Sequence, residues 1–211
     1  MARSKLVDAV WPTPEPEEAL NPETLFASYH QGLQKIAGAT SVAVTERLLE
    51  FAGYIFKEED QRRGKIESKA TTCIGATGIL SALTIGLGSL VMENKLKGRN
   101  LAVSISLALF LVALLYLGRA TILALKVFGR ISRHTVGPDD LVPSDGETEG
   151  QYAKRLSERL LAYTIENYKI NNRQLGVVWA AQTCLRNGIL VLVAAGFLLG
   201  IRQFLRSLLA P

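Results

Sequence analysis

The chain has 211 residues, of which 48% are apolar and 20% charged, and its net charge is +5. That length accommodates one ordinary domain or two small ones, and two cysteines exclude a disulfide framework of the secreted kind. The positive balance would point to nucleic acid or acidic partners in a soluble protein. Here it gathers beside long apolar blocks, and no basic helix or aromatic platform suited to nucleic acid is present.

The opening stretch "MARSKLVDAVWPTPEPEEALNPE" has too short an apolar run for a signal peptide. Its prolines and acids read as an extended, mobile leader over residues 1–21. A first helix is predicted in "NPETLFASYHQGLQKIAGA". Asn21 suits the N-cap, Pro22 the first helical position and Glu23 the positive dipole end, while Leu25, Tyr29, Leu33 and Ile36 share a face. A second helix begins after Thr40, carries Leu48, Phe51 or Ala52, and Ile55 on one stripe, and meets no proline through "KEEDQRRGKIESKA". Glu58 with Arg62 and Glu59 with Arg63 are acid-first i,i+4 pairs. One helix is therefore expected over 41–92, with Gly64 its weakest point, and residues 22–69 are expected to be cytosolic.

Residues 70–92 form a run of 23 without a charge. As a helix that run spans about 34 Å, enough for a hydrocarbon core of about 30 Å. Residues 100–118, "NLAVSISLALFLVALLYLG", form a second uncharged run, and the seven-residue "ENKLKGR" between them forces an antiparallel hairpin, placed at 70–125. Two such runs joined so tightly fit a membrane better than a soluble core. A polar loop over 126–148 follows, then an amphipathic segment over 149–186 with Tyr152, Leu156, Leu160, Tyr163 and Ile170 on one stripe.

The last apolar block is interrupted by Arg186 and Asn187, and its clean part is 188–201. Three arrangements are open: a third span, a helix half in the membrane, or a cytosolic bundle. The favoured one is a long helix from about Glu149 that becomes a third span at 187–205, with Arg186 and Arg202 at opposite interfaces. Lys69 and Arg119 mark the interface on the first two spans. Nine Lys and Arg lie close before the first span or close after the second, Lys57, Arg62, Arg63, Lys65, Lys69, Arg119, Lys126, Arg130 and Arg133. The hairpin loop has three, Lys95, Lys97 and Arg99, which puts the N-terminus in the cytoplasm of an inner-membrane, multi-pass protein.

Motifs for catalysis are missing. There is no phosphate-binding glycine loop, no dinucleotide fingerprint, no H-E-x-x-H and no nucleophile elbow. His30 and His134 lack metal-like spacing, and Asp139, Asp140 and Asp145 do not follow an EF-hand, so a polar turn ending in a helix N-cap is expected. Cys73 and Cys184 read as small core hydrophobes. No enzyme, cofactor or metal is expected. The spans instead carry packing information. Gly78, Ala82 and Gly86 recur every fourth residue, with Thr77, Ser81 and Ser89 nearby, and Gly196 and Gly200 form a similar pair. Such faces allow close helix contact in lipid, either inside one chain or between copies. A transporter would carry an ionisable group in mid-span, and the first two spans have none there.

The stretch "KEEDQRRGKIESKATTCIGATGIL", with Lys69 and Ala70 at its turning point, resembles the approach to the first span in small bacterial membrane effectors of the Pycsar type and the related SLATT-like group. "ENYKINNRQLGVVWAAQTCLRNGILVLV" is similar to the amphipathic helix that leads into their final span. The resemblance covers the order of elements from roughly residue 45 to 205. It implies a membrane-impairing effector of anti-phage defence that is released by a signal or a cytosolic partner and then homo-oligomerises. The chain departs from the pattern in having no separate nucleotide-binding domain. The alternative is a non-toxic membrane anchor or scaffold that recruits a cytosolic partner. The expected fold is thus all-α: a helical integral membrane protein with two transmembrane helices, a third expected one, and a cytosolic helical stalk of 41–69 against 149–175.

Overall fold

The computed structural model describes residues 10–12, 42–96, 101–129 and 134–209. The helix expected at 21–39, most of the leader, His30, Lys97, Arg99, Arg130 and Arg133 lie outside the described residues. The described residues are all-helical, with no strand among them. Helix α1 is Val42–Leu96, α2 is Leu101–Lys126 and α3 is Glu149–Leu209, with a short 3-10 turn at Pro138–Asp140 before α3.

Helix α1 runs without a break past Gly64 and across Lys69 and Ala70. A mid-helix glycine costs about 1 kcal/mol relative to alanine, too little to end a helix of 55 residues. Helix α2 closes by tightening: Val127, Phe128 and Gly129 donate to carbonyls three residues back, at 3.1–3.2 Å, and Lys126 sits at the negative end of the dipole. Helix α3 opens on a capping box. The Thr148 N–H donates to Gln151 Oε1 at 3.0 Å, and the Gln151 N–H donates back to Thr148 Oγ1 at 3.4 Å. The N-cap expected at the end of the acidic stretch is present.

The chain divides into two compact units. One comprises residues 1–14, 67–129 and 176–211, the other 15–66 and 130–175. They are called the apolar and the polar unit below. Helices α1 and α3 each contribute to both.

In the polar unit, Leu48 and Ala52 of α1 pack on Leu156, Leu160 and Leu161 of α3, flanked by Ile55, Phe56, Val136 and Tyr152. Further along, Glu59 and Arg62 meet Tyr168, Asn171 and Asn172. Residue numbers rise together on the two helices, so they lie parallel. A parallel pair needs a long connection, which α2 and the loop after it supply. That loop is tied to α3 by α3's own side chains. Arg155 grips Glu147 with two bonds of 2.8 and 2.9 Å and also donates to the Val142 carbonyl. Arg159 pairs with the buried Asp140, whose carboxylate also accepts from the Gly137 N–H. Gly146, at φ 81°, makes the turn that lets Glu147 double back and accept from the Ser144 N–H.

In the apolar unit, α2 runs antiparallel to its neighbours. Thr77 of α1 meets Thr121 of α2, while Val91 clusters with Val103 and Phe110 of α2 and with Ala195 of α3. Buried positions on α2 include Val103, Ser106, Phe110, Ala113, Leu117, Ala120 and Ala124, in alternating steps of three and four. That 3.5-residue period is the seam of left-handed helix packing.

Candidate functional site: a three-helix apolar unit

The three helices are each long and apolar enough to cross a membrane. How their side chains are sorted carries more information than their length. In the apolar unit the buried residues are mostly small: Ala70, Cys73, Thr77 and Thr84 on α1, Ala113, Ala120 and Ala124 on α2, and Ala180, Ala181, Cys184 and Ala195 on α3. Phe110, Leu117 and Leu123 are buried on α2, but many large apolar side chains point away from the chain, with Ile79 68% exposed, Leu115 66% and Phe197 67%. A soluble domain does the reverse, because water drives its largest apolar groups inward. Helices in lipid lack that drive and approach through small residues.

The contacts are correspondingly close. A Cβ placed on Gly188 of α3 would lie 3.2 Å from Leu117 Cδ2 and 3.4 Å from Tyr116 Cβ on α2, so any larger residue here would press Leu117 aside by a few tenths of an ångström or more. The Thr77 and Thr121 hydroxyls are 2.8 Å apart, and one donates to the other. Two helix carbonyls, Ile74 O at 2.9 Å from Thr77 and Leu117 O at 3.1 Å from Thr121, are in reach of the remaining proton. Ser106 is fully buried, and its hydroxyl has no partner among the described residues.

The small-residue faces singled out from the sequence lie elsewhere. Gly78, Ala82 and Gly86 are exposed, and so are Gly196 and Gly200. Cβ atoms on the four glycines would meet nothing within 4 Å. Closure of the hairpin on Gly78 and Gly86, one of the two readings, is therefore not how α1 and α2 meet. Thr77 and Thr84, seven residues apart and adjacent to that face, do the packing instead. The reason is period. The glycines repeat every four residues, while the seam follows three and a half.

The basic residues expected at the interfaces fare differently. Lys69 and Arg186 are exposed, Arg202 is half-buried with its Nε unpartnered among the described residues, and Arg119 is half-buried and heavily used. The Arg119 guanidinium lies 4.0 Å over the ring of Trp11 and donates to the Pro12 carbonyl at 2.8 Å. Trp11 lies 5.6 Å from Tyr116, and Asn187 donates to the Val10 carbonyl at 3.2 Å. Residues 10–12 of the expected mobile leader are thus docked on the apolar unit, with Pro12 fully buried. "VWP" flanked by charge was the only available signal, and three residues show no periodicity.

The expected ion pairs are present in altered form. Arg62 pairs with Glu59 at 3.5 Å and Arg63 with Asp60 at 3.8 Å, both i,i+3. Glu58 accepts instead from the Tyr54 hydroxyl at 2.7 Å, which raises that tyrosine's pKa. Glu59 faces α3, and this turns the pairing. The Asn171 side chain, 1% exposed, donates to the Glu59 carboxylate at 2.8 Å and to its carbonyl at 3.1 Å. Arg62 also bonds Asn172 and lies 4.8 Å over Tyr168. This buried polar knot was not foreseen. Asn and Glu on a charged helix look like surface residues until a partner helix is known.

Of the loop's acids, Asp140 and Glu147 are taken up by Arg159, Arg155 and backbone N–H groups, and no group of His, Cys, Asp and Glu suited to a metal ion occurs among the described residues. Cys73 and Cys184 are both buried and unbonded to each other. No protein-family model, curated protein or solved structure matches this chain.

Proposed function

We propose that this is a multi-pass protein of the bacterial inner membrane, N-terminus in the cytoplasm, that self-associates and permeabilises the bilayer in anti-phage defence under control of its polar helices. The observation that supports a membrane setting is the inverted sorting of the apolar unit, with small residues inside and Ile79, Leu115 and Phe197 outside. Self-association is supported by the open face of Gly78, Ala82 and Gly86, which a second copy can approach closely. The excess of Lys and Arg on the N-terminal side of the hairpin supports the orientation. The defence role rests on the resemblance of residues 45–205 to small bacterial membrane effectors. No nucleic acid, cofactor or metal enters this reading, and no reaction is assigned.

A membrane scaffold is the second reading, and one observation favours it. Phe51 and Tyr54 of the polar unit stand 51% and 60% exposed on α1, an aromatic pair open to a cytosolic partner. Inducible expression with a membrane-potential dye separates the two. Permeabilisation predicts collapse of the potential by the full chain or by a variant lacking residues 1–40, and intact potential in both leaves only the scaffold. Gly78→Leu and Gly86→Leu should abolish the collapse with insertion unchanged, because neither side chain has a neighbour to strike within the chain.

A further inference from the structure

The contacts of residues 10–12 form a small receptor site on the apolar unit. Two helices each hold one backbone carbonyl of the segment: Asn187 of α3 takes Val10 and Arg119 of α2 takes Pro12. Between those carbonyls one face of the Trp11 ring lies under the Arg119 guanidinium and the ring is tilted toward Tyr116, with Trp11 37% exposed. Pro12 is buried, and as an imide it brings no N–H that would need an acceptor there. The site stands directly over the tightest α2–α3 crossing. Asn187 is next to Gly188, and Gly188 packs on Leu117 and on Tyr116 itself.

We infer that residues 10–12 are a releasable latch whose docking is coupled to closure of the α2–α3 crossing at Gly188. Bridging α2 and α3, the latch favours the arrangement in which Arg119 and Asn187 are the right distance apart to hold both carbonyls. By linkage, anything that opens the crossing weakens the latch, and release of the latch weakens the crossing. The segment is held by two hydrogen bonds, one cation–aromatic contact, the Trp11–Tyr116 ring contact and the burial of Pro12, few enough for release without unfolding. Once released, Arg119 loses an acceptor and an aromatic face at the end of an apolar helix, and its guanidinium turns to water or an anionic headgroup. The latch deepens the membrane reading and takes its biological meaning from it.

Trp11 and Trp179 are the chain's two tryptophans, so Trp179→Phe leaves Trp11 as a single fluorescent probe of the latch. The experiment measures acrylamide quenching of Trp11 in the full-length protein in detergent micelles, with a free peptide of residues 1–20 as the released reference. Micelles are used because the measurement then stands whether or not the helices cross a bilayer. In the parent, Trp11 should be shielded well beyond the free peptide. Arg119→Ala removes the cation and the hydrogen bond, shifting the docked-to-released ratio by roughly thirty-fold, and quenching should approach that of the peptide. A Cβ at Gly188 meets Leu117 and Tyr116 first, so Gly188→Leu should release Trp11 by displacing those two side chains. Gly188→Ala should do so partially, and it serves if the leucine variant loses helicity by circular dichroism. A parent Trp11 as quenchable as the peptide, or one still shielded in Arg119→Ala, overturns the latch. Release by Arg119→Ala but not by either Gly188 variant overturns its coupling to the crossing.

Discussion

Helices α1 and α3 contribute to both units, and what they bury differs between them. In the polar unit their contact is made by Leu48, Ala52, Leu156, Leu160 and Leu161. In the apolar unit the positions they bury include Ala70, Cys73, Ala181 and Cys184, while Ile79, Leu83 and Phe197 are exposed. On the proposed membrane reading, the difference follows from the surroundings of each stretch. Where water surrounds a helix pair, large apolar groups gain most by burial, at about 25 cal/mol per Å². Where lipid surrounds it, burial of a leucine gains nothing over lipid contact, and close approach of small residues decides.

The comparison is broken most directly by placing a charge on the outer face of each unit. Ile79→Arg, outward on the apolar unit, should cost about 2.5–3.5 kcal/mol of insertion, seen as loss of the protein from carbonate-washed membranes. Phe51→Arg, outward on the polar unit, should stay within about 0.5 kcal/mol. Equal effects at the two sites would remove the distinction between the units.

The next test falls on the buried knot of the polar unit. Asn171→Ala leaves the Glu59 carboxylate, at 11% side-chain exposure, without its main donor. A loss of about 1–3 kcal/mol is expected, read by thermal melting. Adding Glu59→Ala to it should recover part of that loss, because the stranded acceptor is then gone.

A smaller and pH-dependent effect belongs to the loop before α3. Arg155 and the Ser144 N–H hold the Glu147 carboxyl below its ordinary pKa. A group whose pKa is depressed on folding stabilises the fold above its unfolded pKa and loses that contribution as pH falls through the folded value. The protection of amides in residues 141–148, with exchange corrected for its intrinsic pH dependence, should therefore fall in acid, below the ordinary carboxylate range, and stay level above it. Arg155→Gln should remove most of the acid dependence. The smallest effect is at Ser106. Its buried hydroxyl has no described partner, so Ser106→Ala should be neutral or stabilising by up to about 1 kcal/mol. A clear loss would reveal a partner for it.

The sequence made the long helices legible because charge-free runs and the lack of proline leave few alternatives. The single helix expected over 41–92 is Val42–Leu96, and the long helix expected from about Glu149 is Glu149–Leu209. Which face would be buried was not legible. In residues 70–92 no position is charged, and Thr, Ser and Gly are scattered among the apolar residues, so periodicity has little polar contrast to report and glycine spacing stands out. Gly78 and Gly86 drew attention, whereas Thr77 and Thr84 pack. Docking of residues 10–12 and the Asn171–Glu59 bond join positions more than a hundred residues apart, and neither leaves a local trace.

The parallel pair of α1 and α3 is locked in register at two places. A slip of α3 by one heptad, about 10 Å, would put Tyr163, Asn167 and Tyr168, or Glu149, Ala153 and Lys154, where Leu156, Leu160 and Leu161 now pack. The same slip would set Glu59 against Thr164 or Val178 instead of Asn171, and a buried carboxylate does not tolerate losing its donor. Any axial shift of these helices must therefore be a discrete step that breaks the leucine contact and the polar knot together.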